Sequence, residues 1–307
     1  MPLSTLLQLL ALGMIWGASF LFQRITVPAV GAGMTATMRI VLAALVLGVI
    51  VLLRRRPLHW RRRWREYVVI GLVNSGLPFV LFAFAAYSLP AGYMAVLNAT
   101  VPMFTVLIGW ASGPRPSNSK LLGVVVGVLG VAELVHFGSV GLTWMTVAAF
   151  AAVLLASVLY AFGARAVREH FANDDSIVVA CGTMTGALLP LLPFAFSSVP
   201  PSVPTMGVSM ALLVLGVVCT GLAYAMFYRL IREAGSERAV TVTFLVPIFA
   251  VIWGAIFLGE PITWASASGC ALVLFAVALI FERVPGLRPR PVVALAAPVL
   301  CTKGADC

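Results

Sequence analysis

The sequence predicts an all-α integral membrane protein whose ten transmembrane helices form two inverted five-helix repeats. The first reason is composition: 62% of the 307 residues are hydrophobic and 10% are charged, whereas charged residues make up about 25% of a soluble globular chain. The second reason is length, because the apolar runs approach the roughly 20 residues that a helix needs to cross the hydrocarbon core. The third is a match of the chain with itself at a shift of 145 residues.

Ten helices result when the chain is divided wherever charges, prolines or Gly-Pro turns interrupt the apolar runs. A transmembrane β-barrel would instead show alternating strands of about ten residues, a pattern that this sequence lacks. The first run has neither the basic start nor the small-residue cleavage site of a secretory signal, so we interpret it as a retained helix. The predicted helices 1 to 10 cover residues 5–23, 34–53, 67–89, 92–112, 120–137, 143–163, 177–197, 206–228, 239–258 and 264–281.

The basic residues predict the orientation. When both termini are placed in the cytoplasm, every Lys and Arg except Arg24 and Arg39 falls on the inner side. This asymmetry is the positive-inside rule, so the net charge of +10 indicates topology and contact with membrane lipid, and no nucleic-acid partner is expected. The sequence therefore predicts a multi-pass protein of the bacterial cell (inner) membrane. Arg24, at the outer mouth of helix 1, is expected to snorkel to the interface.

The internal match aligns residues 71–116 with 216–261 without a gap. Because each copy has an odd number of spans, the second copy enters the membrane upside down. The predicted units are residues 1–138 and 139–283, followed by a cytoplasmic tail over 284–307. Glycines and prolines within spans coincide less readily by chance than Leu or Val. The coincident pairs include Gly71 with Gly216, Gly76 with Gly221, Gly109 with Gly254, and Pro102 with Pro247.

Several short motifs occur in a fixed order along the chain. They are WGASF in helix 1, MRIVLAALVL in helix 2, NATVPMFTVLIGW in helix 4, AAVLLASVLYAFGAR in helix 6 and VTFLVPIFAVIWGAIFLGEPIT in helix 9. Over residues 6–282 the chain thereby resembles the drug/metabolite transporter superfamily, specifically its ten-helix EamA-like exporters. The family often ends helix 4 as well as helix 9 with Leu-Gly-Glu, and here that run occurs only at 258–260.

The resemblance implies export of small metabolites, amino acids among them, through a central cavity lined mainly by helices 1, 3, 4, 6, 8 and 9. Inverted repeats are typical of secondary transporters that work by alternating access. The alternative is a nucleotide-sugar or phosphate-ester exchanger of the same superfamily, which would need several basic residues in the cavity. The sequence lacks HExxH, GxSxG and P-loop motifs, so no enzyme, metal site or cofactor is predicted. The expected partners are a small-molecule substrate and membrane lipid.

Two prolines, Pro102 and Pro247, lie near the middle of predicted helices 4 and 9. A proline there removes the hydrogen bond to the carbonyl four residues earlier, and in lipid a free carbonyl must face protein or a water-filled cavity. We therefore expect the two kinks to face each other across the cavity; the alternative is two packing kinks healed by neighbouring helices. The polar side chains expected to contact substrate there are Asn98, Thr100, Thr241 and Thr243.

Aromatic residues are the second group of candidate substrate contacts, because Tyr and Trp combine an apolar ring with a polar group. Most aromatic side chains of a ten-helix bundle face lipid or core, so the alternative for each is a packing role. The aromatic candidates are Trp16, Tyr160, Tyr224 and Trp253.

The few intramembrane titratable residues are functional candidates because burying charge in lipid is costly. Arg39 and Glu133 are predicted at similar depths, which is compatible with a structural ion pair. Alternatively, Glu133 or His136 takes up a proton and couples transport to the proton gradient. Helix 5 also carries a GxxxG motif at Gly123 and Gly127, which packs either within the chain or in a dimer, so a monomer or weak homodimer is expected.

Overall fold

The computed structural model describes residues 3–136, 140–141, 143–196 and 203–282. The predicted tail therefore lies outside the described residues. The described part contains helices and no strands. Eight of the helices are long and apolar enough to cross a membrane, and two shorter apolar helices follow them. The predicted all-α membrane fold is confirmed.

Ten helical spans stand in the predicted order. Three of them run well beyond their predicted ends, because a helix satisfies its own backbone hydrogen bonds and so continues past the apolar stretch into polar surroundings. A one-turn helix, Ser236–Ala239, precedes the ninth span. The spans are α1 Leu3–Val30, α2 Ala32–Leu53, α3 Trp60–Ala85, α4 Ala91–Ala111, α5 Asn118–His136, α6 Trp144–Phe171, α7 Ser176–Phe196, α8 Met206–Ala234, α9 Val242–Leu258 and α10 Trp264–Ile280.

The packing of the helices has an internal twofold pattern. Helix α1 packs on α9, and α6 packs on α4 in the same way. Helix α2 packs on α8, as α7 does on α3, while α2 with α7 and α5 with α10 pair across the centre. Exchanging each helix for the one five places later leaves these pairings unchanged. The two halves are thus built on one packing scheme.

Two of the coincident glycine pairs, Gly71 with Gly216 and Gly76 with Gly221, lie at equivalent contacts, of α3 with α7 and of α8 with α2. A Cβ at Gly71 would collide with the carbonyl oxygen of Thr183 on α7, and one at Gly216 would collide with Leu42 on α2. Each glycine adjoins or lies within a π-helical stretch, Leu72–Gly76 in α3 and Val214–Leu222 in α8. Such stretches occur often at functional sites. The sequence match therefore has a structural cause in two close helix contacts.

The GxxxG face of α5 packs within the chain. A Cβ at Gly123 would lie 2.8 Å from the carbonyl oxygen of Ala276 on α10, and one at Gly127 would meet Met103 on α4. The contact with α10 is the close helix approach that small residues allow in membranes. Of the two packing alternatives for this face, the structure uses the intrachain one.

The contact of α1 with α9 gives a stability prediction. A Cβ at Gly17 would lie 2.8 Å from Cβ of Phe249 and 2.9 Å from the backbone nitrogen of Ala250, whereas nothing lies within 4 Å of a Cβ at Gly48. We expect Gly17→Val to destabilise the protein by about 1–3 kcal/mol, because overpacking forces the helices apart. Thermal unfolding of the purified protein in detergent measures the effect. Gly48→Val is the matched control, and equal midpoints for the two variants would contradict the prediction.

Candidate functional site

A cavity of about 620 Å³ lies between the two halves of the bundle. Its size falls in the usual range for small-molecule sites, about 300–1,000 Å³. All six helices that the resemblance implied contribute to the lining, and α2 adds Arg39. The predicted site residues that line it are Trp16, Arg39, Asn98, Pro102, Tyr160, Tyr224, Thr243 and Pro247. Both predicted prolines thus border one cavity.

Helix α4 is broken and not merely kinked. The chain leaves the helix at residues 99–100 and resumes it at Val101, so Pro102 lies in the first turn of the second stretch, where its missing N–H costs little. The carbonyl of Leu97 accepts hydrogen bonds from Thr100 Oγ1 at 2.6 Å and from Ser157 Oγ of α6 at 3.2 Å. The Thr100 hydroxyl therefore heals the break and does not line the cavity.

Asn98 is the last helical residue before this break, and its side chain borders the cavity. Its Oδ1 atom is buried and has no hydrogen-bond partner among the described residues. Buried polar groups of native proteins are nearly always hydrogen-bonded. The amide oxygen is thus an acceptor available to an N–H or O–H group that enters the cavity.

Helix α9 differs from α4 at the equivalent place. The chain is non-helical at residues 240–241, six residues before Pro247, which lies inside the helix. Thr241 Oγ1 donates to the carbonyl of Arg238 at 2.6 Å, and Thr243 Oγ1 donates to that of Val240 at 2.8 Å. Thr243 and Pro247 line the cavity, whereas Thr241 is outside the lining.

Three of the four predicted aromatic contacts line the cavity. The ring of Trp16 lies 6.3 Å from that of Tyr224, and Tyr160 lies 6.1 Å from Phe82 (centroid distances). Trp253 does not take part: its Nε1 donates to the carbonyl of Met14 at 3.1 Å, which fixes α9 to α1. Its role in the structure is packing.

Arg39 is buried in the wall, 7% exposed. Its Nε donates to Thr220 Oγ1 at 2.8 Å, and its guanidinium lies 3.9 Å from the ring centroid of Phe79. Glu133 accepts a hydrogen bond from Ser268 Oγ at 3.0 Å, between α5 and α10. The ion pair considered for Arg39 and Glu133 is therefore not formed, because different helix interfaces hold the two side chains. The side chain of His136 lies outside the described residues.

A cluster around an ion pair joins α1, the start of α4 and the turn after α9 at one end of the bundle, and none of its members lines the cavity. Arg24 Nε lies 3.3 Å from Glu260 Oε1, and Arg24 NH1 donates to the carbonyl of Ala86 at 2.7 Å. Both carboxylate oxygens of Glu260 accept from the backbone N–H of Ala91, at 3.1 and 2.9 Å. The expectation that Arg24 snorkels to the interface is wrong, because the cluster holds its side chain. We call this end of the bundle, defined by Arg24, Ala86, Ala91 and Glu260, the closed end.

The turn after α9 aims Glu260 at α4. Gly259 has φ +65°, a left-handed conformation that favours glycine, and the N–H of Glu260 donates to the carbonyl of Gly254 at 3.1 Å. The N–H of Gly259 donates to the same carbonyl, so two backbone bonds fix this turn. A Cβ at Gly254 would collide with the Glu260 carboxylate. The Leu-Gly-Glu run thus encodes the direction of the carboxylate.

The cavity extends to the opposite end of the bundle, which we call the open end. Its lining there includes Lys120 in the first turn of α5, Arg168 in the last turn of α6 and Phe281 after α10. Lys120 Nζ lies 3.8 Å from Glu282 Oε1. The described lining contains three basic residues and no acidic one.

Comparison with known proteins decides the family. The profile of the EamA-like transporter family matches residues 3–135 and 145–282. The chain belongs to the EamA-like transporter family. The match covers nearly all of the described residues, and it agrees with the fold class and motifs of the sequence.

Relatives of this EamA-like chain carry transporter names. The uncharacterized inner membrane transporter YedA of Escherichia coli (strain K12) is 25% identical over 93% of this chain and 93% of its own length. The probable amino-acid metabolite efflux pump of Salmonella typhimurium is 24% identical over 71% and 75%. A solved crystal structure has the same fold, with a TM-score of 0.65, 19% identity, and coverage of 91% of this chain and 96% of that one.

Sequence reasoning missed much of the EamA-like cavity wall. On α1 the lining residues are Trp16, Ser19, Phe20 and Gln23, which follow the helical spacing of one face. That spacing was a readable signal, since it places polar Ser19 and Gln23 beside the predicted Trp16. Other missed members include Thr105, Lys120, Arg168 and Phe227.

The closed-end cluster gives an accessibility prediction. We expect Glu260→Ala to open that end, because charge-assisted hydrogen bonds contribute about 1.5–3 kcal/mol each and 1.4 kcal/mol is a factor of ten in an equilibrium. The measurement places a single cysteine at Ser19 in a variant without native cysteines and treats intact cells with a membrane-impermeant maleimide. Labelling should be about tenfold faster than with Glu260 present. Glu233→Ala removes an exposed pair with Arg229 and is the control; unchanged labelling in Glu260→Ala would refute the role of the cluster.

Proposed function

We propose that this EamA-like transporter exports small metabolites, amino acids or related amphipathic compounds, from the cytoplasm by alternating access. The carrying observation is the cavity, which reaches one end of the bundle while the Arg24–Glu260 cluster joins the helices at the other. The predicted topology puts the open end in the cytoplasm. A solute would therefore bind from the cytoplasm and leave after the cluster separates.

The two predicted units, 1–138 and 139–283, would rock against each other around the cavity. The shared packing scheme of the halves supports this. When two inverted repeats exchange their conformations, the cavity opens to the opposite side of the membrane. The breaks in α4 and at the start of α9 supply places where the backbone changes direction without losing long helical hydrogen-bond ladders.

The cavity wall supports an amphipathic substrate. Its aromatic side chains form an apolar surface, and the free Asn98 Oδ1 is an acceptor for a substrate N–H group. The relative named as a probable amino-acid metabolite efflux pump points to the same class. Export, proton coupling through Glu133 or His136, and orientation of the termini are parts of this proposal.

One observation favours the second candidate, a phosphate-ester or nucleotide-sugar exchanger. Arg39, Lys120 and Arg168 all line the cavity, and no acidic residue of the described part does. Such a protein would exchange phosphate esters across a proteoliposome membrane. The amino-acid exporter would not.

The first experiment compares all metabolites in the medium of cells that overproduce the protein and of cells that lack it. The best candidates are then tested by counterflow in proteoliposomes. We expect a small amphipathic metabolite to accumulate outside the overproducing cells. Counterflow of phosphate esters alone would replace the proposed function with the second candidate, and absence of any solute dependence would overturn both.

Two substitutions test the cavity as the binding site. Asn98→Ala and Thr243→Ala each remove a polar group from the lining, and we expect substrate affinity to fall about two- to tenfold, the effect of losing one hydrogen bond. The half-saturation concentration in counterflow measures this. Thr185→Ala is the control, because that hydroxyl donates to the carbonyl of Cys181 within α7 and is outside the lining. If neither cavity variant differs from the control, the two side chains do not bind substrate.

A further inference from the structure

Arg39 is a buried cation without an anionic partner. Its Nε donates to Thr220 and its guanidinium lies over the ring of Phe79. The side chains of Tyr160, Tyr224 and Cys219 interact with it electrostatically, and no ion pair of the described residues includes it. A guanidinium has five N–H donors. The terminal nitrogens are therefore free to bind a group that enters the cavity.

A charge at this depth is costly unless something compensates it. Arginine stays protonated in proteins, and an uncompensated charge in the membrane interior is rare outside functional sites. A neutral hydroxyl and one aromatic face offset only part of the desolvation. An anion in the cavity would supply the missing partner.

The wider charge distribution also favours an anion. Arg168 and Lys120 line the cavity toward the open end; Glu282 lies 3.8 Å from Lys120, but the described lining itself contains no acidic residue. A cleft lined by one sign of charge raises the local concentration of the opposite ion. The electrostatic field of these basic side chains therefore draws anions from the open end toward Arg39.

We propose that Arg39 is the anion subsite of the cavity and binds a carboxylate of the transported substrate. The two terminal nitrogens match the two oxygens of a carboxylate, while the free Asn98 Oδ1 accepts an N–H donor of the same molecule and the aromatic wall packs on its apolar part. The inference rests on the proposed function, which it narrows to amphipathic carboxylates.

A phosphate group shares the chemistry that a guanidinium recognises, so the charge of the anion is the distinguishing feature. Arg168 lies eight residues beyond Tyr160 along α6, about 12 Å at 1.5 Å per residue. A single guanidinium with one nitrogen already bonded to Thr220 suits the single charge of a carboxylate.

The test measures thermal stabilisation of the purified full-length protein by matched probes. The probes are L-phenylalanine and L-phenylalaninamide, 3-phenylpropionate and 3-phenylpropanamide, and 2-phenylethyl phosphate. We expect the two carboxylates to raise the midpoint of unfolding and the two amides to leave it unchanged. Arg39→Gln should weaken carboxylate binding about tenfold or more, and Arg39→Lys should retain part of it. Arg229→Gln, which alters an exposed arginine, is the control.

Stabilisation by the amides, no stabilisation by any probe, or unchanged carboxylate binding in Arg39→Gln would overturn the proposal. Stabilisation by the phosphate ester alone would replace the carboxylate with a phosphate. Thr220→Val keeps the charge and removes the positioning hydrogen bond, so it should weaken carboxylate binding severalfold even if Arg39→Gln does not fold. Export of an uncharged or cationic solute would refute the subsite and leave the transport function intact. Carboxylate binding without export of any solute would support the subsite and refute the transport function.

Discussion

The demand that every backbone polar group inside lipid find a partner within the protein governs this structure. Unbroken helices meet it automatically, so a non-helical stretch is tolerated only where side chains or a polar cavity accept the freed groups. In α4 the hydroxyls of Thr100 and Ser157 donate hydrogen bonds to the carbonyl of Leu97. The break can therefore stand at the centre of the bundle, and the space beside it becomes the cavity.

Close packing between helices determines where the cavity lies. Glycines bring α1 against α9 and α3 against α7 at backbone distance, and because lipid gives no hydrophobic force between helices, such contacts carry much of the association. The aromatic residues stand where the helices diverge. The cavity wall is thus largely apolar, and polar groups such as Asn98, Thr243 and Arg39 interrupt it at defined places.

Local sequence signals predicted the features that depend on local physics. Apolar run length predicted the ten spans, and the spacing of Pro102 and Pro247 predicted two residues of one cavity. Contacts between distant segments were beyond those signals: Arg24 and Glu260 are 236 positions apart. The face on which a residue emerges near a helix break was equally hidden, since Thr100 turns back to its own helix while Asn98, two positions earlier, borders the cavity. The predicted ends of α1, α6 and α8 came too early, because these helices continue past their apolar stretches.

Among the ion pairs of the described residues, none at the open end is equivalent to that of Arg24 with Glu260. The repeat aligns Glu260 with Arg115, so the second half of the chain supplies a carboxylate where the first half supplies a cation. Two identical halves would give two end states of equal free energy. A carboxylate at one of these equivalent positions and a cation at the other make the halves unequal, so under alternating access the ion pair would favour one end state over the other.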